Sequence, residues 1–374
     1  MMDFDITRAV EIAANTWWVG FRNPASMLQL NVYLLRFPGQ KGTLNYVIDP
    51  GSPIDYPYVT RKIAEIIGDI SRVHICSINH QDPDVGMNAV QIGTLNPKML
   101  VITSEDTWRL IQHMGLDHNR VRFTEKFENN RVRLGENRDL QFIKSPFCHF
   151  RGAFMTYDPV TRILYTGDLF GGLTTDRTRL NDLLASKKSW DGIAAFHEIY
   201  MPSKKALRLA VNEIRKLNPK PLFIAPQHGD IIGEELIDDF LVRMENLDVG
   251  LDLMIEDIEQ NPKVIESYMA VANEILAEVI DALGRNNAQK KLAAAAELNR
   301  LAKIANNRVS EISGNPARML EVLLEVLLRG EDPEHTSLIK CAVISASMHH
   351  HLPLPSMEWE SVSQQAGSRE IDTF

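Results

Sequence analysis

The chain has 374 residues, 44% apolar and 24% charged, which is the composition of a folded protein with roughly two domains. There are 40 basic residues against 49 acidic ones, net −9, and this excludes nucleic acid or an anionic membrane as the main partner, because both require a concentrated positive field. The three cysteines form no C-x-x-C pair, the opening MMDFDITRAVEIAANTWW carries acids where a signal peptide carries bases, and no apolar run approaches ~20 residues, so the expected setting is the cytoplasm, with no membrane span.

Up to about residue 250 the sequence alternates short β-branched runs with Gly, Pro and Asp. Strands are predicted over NVYLLRF (31–37), NYVIDPG (45–51), VHICSIN (73–79), MLVITS (99–104), LQFIKSPF (140–147), RILYTGD (162–168) and PLFIAPQ (221–227). Helices are predicted between them at 58–67, 105–113 and 204–217, with Ser104 and Ser203 as N-caps of the last two. Strands interleaved with helices define an α/β protein. After about Leu251 the strand signals stop. Asn261-Pro262 opens a helix whose apolar stripe (Ile265, Tyr268, Ala272, Ile275, Val279, Leu283) ends at Gly284. Further helices are predicted at about 287–309 and 316–328 and after Pro333. The division is therefore 1–250 for the α/β domain, 251–352 for an all-helical region and 353–374 for a polar, mobile tail. None of these helices can bury its stripe alone, which points to a homodimer through the helical region.

The segment Ile78-Asn79-His80-Gln81-Asp82-Pro83-Asp84-Val85-Gly86 overlaps the end of a predicted strand. Pro83 biases Asp82 toward extended backbone, where alternate residues point the same way, so His80, Asp82 and Asp84 can converge. Repetition strengthens the reading. Near the carboxyl ends of three other predicted strands stand His149, Asp168 and His228, which neighbouring strands would gather on one rim. Three His and three Asp are enough for two metal ions sharing a bridging carboxylate. Other residues have plainer readings. His74 is structural, His113 and His118 are surface residues, and Cys148 packs in the core. His197 is a candidate support for the site, and Trp17, Trp18, Tyr33 and Tyr157 are candidates either for lining it or for the core. Adjacent His349, His350 and His351 at a helix end cannot all face one ion and read as incidental. There is no Gly-rich phosphate loop and no Ser nucleophile elbow.

The H-x-D-x-D turn and the NYVIDPG segment resemble the metallo-β-lactamase fold, an αββα layered sandwich. The closer resemblance is to the β-lactamase-like domain of flavodiiron and oxygen-binding diiron proteins, carried also by Trp17-Trp18-Val19-Gly20, NVYLL, FMTYDP, GDLFG, YMPS and APQHG. It covers roughly residues 10–250, and it implies that His80, Asp82 and His149 bind one iron, that Asp84 and His228 bind the other, and that Asp168 bridges. There are two departures. Asp82 is one methylene shorter than the family's Glu, and Val85 stands where a histidine often follows, leaving the second metal an open position. A carboxylate-rich set favours Fe (Fe2+/Fe3+) or Mn over the His-rich zinc pattern, with Mn or Zn as alternatives. The family's flavodoxin domain has no counterpart pattern after residue 251, so no FMN site is expected in this chain and electrons would come from an external redox partner. The leading expectation is a diiron protein that binds O2 or NO as a gas or redox sensor, with the helices as output module to a signalling partner. The rivals are an O2 or NO reductase with an external donor, and a dinuclear metallo-hydrolase.

Overall fold

The computed structural model describes residues 5–40, 42–135, 138–253 and 262–359. Two compact units emerge. The first is built from the chain up to Arg22, Gln29–Thr174 and Thr178–Asp252, and the second from Asn23–Leu28, Thr175–Arg177 and the chain from Leu253 onward.

The first unit holds two sheets. One has the order β1 (Val10–Ala13), β2 (Thr16–Trp18), β3 (Tyr33–Gly39), β4 (Gly42–Ile48), β5 (Ile75–Ser77), β6 (Leu100–Thr103), β7 (Val121–Phe123). The other has the order β13 (Ile232–Gly233), β12 (Phe223–Pro226), β11 (Ile163–Gly167), β10 (Phe154–Asp158), β9 (Arg138–Lys144), β8 (Arg131–Leu134). All seven predicted strands are present. Side-chain parity explains why their sequences read as unbroken apolar runs. In the first sheet Tyr33, Leu35, Tyr46, Ile48, Ile75 and Ile102 face Phe142, Phe154, Ile163, Tyr165 and Ala225 of the second. The alternate residues Leu34, Val47, Cys76 and Val101 pack instead with Val59, Ile63, Val85, Ala89 and Trp108 of the helices α1 (Tyr56–Ile67), α2 (Pro83–Leu95) and α3 (Glu105–Ile111). Helices α4 (Ser189–Tyr200), α5 (Lys204–Arg215) and α6 (Glu234–Asn246) complete the layered αββα arrangement, with α5 against β9 and α6 against β12.

Local signals behaved unevenly. Ser104 caps α3 by accepting from the Thr107 N–H at 3.0 Å, whereas Ser203 precedes α5 without a side-chain cap. Helix α2 has no counterpart in the sequence reading. Gly86 and Gly93 blur its period, and its Pro83 start looks like a turn.

The second unit contains α7 (Pro262–Leu283), α8 (Arg285–Ala294), α9 (Leu298–Leu301), a hairpin of β14 (Ala302–Ala305) and β15 (Arg308–Ile312), α10 (Pro316–Leu328) and α11 (Pro333–His349). Its core joins Tyr268, Ile275 and Val279 of α7 with Leu320, Leu323 and Leu327 of α10 and Ile339 and Val343 of α11. The helix expected over 287–309 ends at Ala294, is followed by the short α9 and gives way to the hairpin, so this region is not wholly helical. Asn306 and Asn307 both take left-handed backbone (φ 53° and 61°), the two-residue turn that asparagine tolerates and that matches strand twist. The expected helix cap at Asn261 lies outside the described residues, as does the tail from residue 360 on. Before that point the tail is packed: Trp359 is buried and its indole donates to the Pro355 carbonyl at 3.3 Å. No helix among the described residues is long and apolar enough to cross a membrane.

Candidate metal centre

Each candidate ligand follows the carboxyl end of a strand. His80 follows β5, Asp168 directly follows β11, His228 follows β12, and His149 lies in the loop from β9 to β10. Strands β11 and β12 are parallel neighbours, but β5 belongs to the opposite sheet, so the rim joins both layers. The H-x-D-x-D segment is also less extended than its spacing suggests. Asp82 is extended (φ −70°, ψ 144°) and precedes α2, Pro83 occupies the first helical turn, and Asp84 is already helical. This change of backbone separates the two carboxylates' partners.

Asp82 Oδ2 lies 2.8 Å from His149 Nε2 and 3.5 Å from His80 Nε2, so the shorter side chain reaches the shared spot. Asp84 Oδ2 lies instead 3.3 Å from His228 Nε2. Asp168 is shared. Its Oδ2 is 3.3 Å from both His80 Nε2 and His149 Nε2, and its Oδ1 is 3.5 Å from His228 Nε2. Metal–ligand bonds of about 2.1 Å give coordination edges of about 3.0–3.4 Å; half of these donor pairs fall in that range and the others lie close to it. His80, Asp82, His149 and Asp168 form one group able to hold an ion. Two buried atoms in the cluster, His80 Nε2 and Asp168 Oδ1, have no hydrogen-bond partner, which a folded protein rarely tolerates without a use. The donor set, its spacing and these orphaned atoms fit a bound metal ion, and Asp168 extends the cluster to His228 and Asp84.

Over residues 28–229 the sequence matches the family described as ODP family beta lactamase. The chain belongs to that family. It is 25% identical to the chemotaxis sensor ODP from T. denticola, whose apo structure it matches over 65% of this chain and 95% of that one with a TM-score of 0.52. It is 28% identical over 245 residues to the type A flavoprotein fprA of Rhodobacter capsulatus (60% of this chain, 53% of the relative). Identity to the nitric oxide reductase of Moorella thermoacetica is 27% over 180 residues (47% and 44%). The chain thus spans about half the length of these curated relatives.

The ODP-family site draws positive charge strongly. Burial alone would lower the His80 and His149 imidazoles, but Asp168 and Asp82 beside them raise both, His149 to about 9. His228 is likewise raised against its burial, by Asp84 and Asp168. Burial would raise Asp168, yet the facing histidines hold it well below the usual carboxylate range. A bound cation would replace those protons.

Hydrogen bonds fix which nitrogen His80 and His228 present. His80 Nδ1 donates to Asn79 Oδ1, and the Asn79 N–H donates to Asp49 Oδ1 at 3.0 Å. His228 Nδ1 donates to the Gln29 carbonyl at 3.1 Å. Both arrangements leave Nε2 for the site. The chain around His228 is clamped further. Asn31 Nδ2 donates to the carbonyls of Pro226 and Gly229 (2.9 Å each), Arg22 donates to Gly229 at 3.0 Å, and Tyr33 donates to Pro226 at 2.8 Å. Trp18 in turn donates to Asn31 Oδ1 at 2.8 Å.

His197 is buried; it donates through Nδ1 to Ile193 (2.7 Å) and accepts from the Phe170 N–H (3.0 Å), bracing the turn that begins at Asp168. Both nitrogens are used, and burial lowers its pKa to about 4, so it stays neutral and serves as a support.

Trp17, Trp18, Tyr33 and Tyr157 belong to core or scaffold contacts. Two aromatic rings of α4 stand beside the ligands. The Tyr200 ring lies 6.0 Å from His149, and Phe196 lies 5.4 Å from His228. Val85 is fully buried in the helix-facing core. Sequence reasoning passed over Gln29, Asn31, Arg22 and Asp49. The only signal for them was their position inside the family-like strings NVYLL and NYVIDPG or close to them.

Proposed function

We propose that this protein is a non-haem diiron protein that binds O2 or NO and reports the gas or redox state. One observation carries the reading: the Asp168 carboxylate divides its oxygens between His80 and His149 on one side and His228 on the other. In this proposal His80, Asp82, His149 and Asp168 hold one iron, while Asp84, Asp168 and His228 hold the second. When bound, an iron pair supplies two adjacent redox-active centres for a diatomic gas. Three carboxylates against three neutral imidazoles favour iron over the His-rich zinc pattern, which weighs against a hydrolase.

The protein's own part is positioning. Asp49 and Asn79 orient His80, Asn31 and Arg22 hold the chain at His228, and Phe196 and Tyr200 place aromatic surface beside the ligands. With Val85 turned into the core, the second group has fewer protein donors than the first, and that is where an exogenous ligand has room. The sensor reading is supported by the likeness to the chemotaxis sensor, of whose solved chain 95% is covered at 25% identity. The helical unit is then the candidate output and homodimer surface.

The test mixes anaerobically reduced, iron-loaded full chain with O2 or NO. A stoichiometric optical change that persists without a donor supports sensing. Rapid turnover with an added redox protein supports reduction, and a spectrum indifferent to both gases overturns the proposal.

A further inference from the structure

A second cluster of metal-ligating side chains lies wholly within the helical unit. Glu274, midway along α7, faces the end of α11. Its Oε2 lies 3.2 Å from His349 Nδ1 and 2.9 Å from His350 Nε2, and its Oε1 lies 3.3 Å from His349 Nδ1. The two imidazole rings are 4.8 Å apart at their centroids. All three donors lie within 4.8 Å of one another.

The end of α11 explains how neighbouring histidines can share one carboxylate. His349 is the last helical residue and His350 the cap. His351 takes left-handed backbone (φ 52°), with its N–H donating to Met348 (3.3 Å) and the Leu352 N–H donating to Ser347 (3.0 Å). This is the double hydrogen-bond pattern that closes a helix, and the buried Leu352 supplies its apolar anchor. The chain leaves the helix only at His351, so His349 and His350 sit as neighbours in its last turn, with His350 relaxed from regular helical geometry (φ −99°, ψ 8°). They approach Glu274 with different ring nitrogens. His351 is left out, so the sequence argument against three histidines on one ion holds for three and fails for two.

We infer that Glu274, His349 and His350 form a site for a borderline divalent transition metal, of the zinc class, that clamps the end of α11 to α7. Bonds of about 2.0 Å in a tetrahedron give edges of about 3.3 Å, and the Glu274–His349 and Glu274–His350 contacts lie at or just inside that length. Two imidazoles and one carboxylate are the donor set of three-coordinate protein zinc sites, with a fourth position left to solvent. The carbonyl end of α11 adds partial negative charge beside the ion. Glu274 is partly buried against the end of α11.

The experiment uses the iron-loaded full chain titrated with zinc against a chromophoric chelator. The wild type should take up one more tight equivalent than the variant His349→Ala/His350→Ala, with Glu274→Gln weakening that equivalent by ~100-fold or more. Identical isotherms for wild type and variants would overturn the site. Because substitution at a helix end can perturb folding, a second measurement uses the wild type alone. His349 is 71% exposed in its side chain, so it should react with diethyl pyrocarbonate in metal-free solution and be protected by zinc. Undiminished labelling under saturating zinc would show the cluster to be an ion pair only.

Discussion

Gly167 and Asn79 approach so closely that a Cβ on Gly167 would stand 1.6 Å from the Asn79 amide nitrogen. Gly167 also sits at φ 60°, where a side chain is strained. The contact brings together the last residue of β11, one position before Asp168, and the residue that orients His80. Gly167→Ala should therefore displace the Asn79 amide, cost at least ~2 kcal/mol of stability, and weaken metal retention. Urea unfolding of the metal-free variant, together with its iron content after purification, checks both effects.

His197 braces the turn after Asp168 without facing the ligands. His197→Gln should leave the fold largely intact but lower metal affinity by ~10–100-fold, as expected when a group that orients a ligand is altered. Chelator competition on the loaded protein reads the loss. An unchanged affinity with a lower unfolding midpoint would reduce His197 to core packing.

The shared carboxylate makes the two halves of the site unequal to substitution. Asp84→Asn removes a donor facing only His228, so it should cost one ion and leave the other bound. Asp168→Asn touches both donor groups and should deplete both ions. Metal analysis of the two variants after dialysis distinguishes these patterns.

Glu198 gives a pH prediction away from the ligands. One of its carboxylate oxygens is buried without a partner, and burial raises its pKa from 4.5 to about 8. The folded state keeps a proton that the unfolded chain releases, so this group's contribution to stability falls as pH rises from about 4.5 to 8. Glu198→Gln should flatten that decline and be more stable than wild type at pH 8. Thermal unfolding at pH 5 and pH 8 measures the difference, and equal slopes would sink the prediction.

How much of this could be read in the sequence depended on whether a signal was local. The strands of the sandwich were legible because both faces of residues such as Tyr33 and Leu34, or Ile75 and Cys76, are buried, which leaves an unbroken apolar run. The convergence of His80, Asp82, Asp84, His149, Asp168 and His228 was legible from their repeated placement after strands. The pairing of Asp84 with His228 was not, because it follows from the helix beginning at Pro83 and not from extended spacing. The residues that hold the ligands are long-range contacts, such as Asn31 with Gly229, and no periodicity marks them. In the helical unit, Asn306 and Asn307 set a two-residue turn inside a stretch whose composition reads as helix. The Glu274–His349–His350 cluster was invisible because it depends on how α11 ends against α7.

We propose that the site holds an iron pair bridged by Asp168. The most direct test is metal analysis with an optical spectrum of the full chain purified without added metal. A pair of iron ions in each chain is expected, with near-ultraviolet and visible absorption that responds to O2 or NO. Protein containing zinc and no iron, with a featureless spectrum, would contradict it.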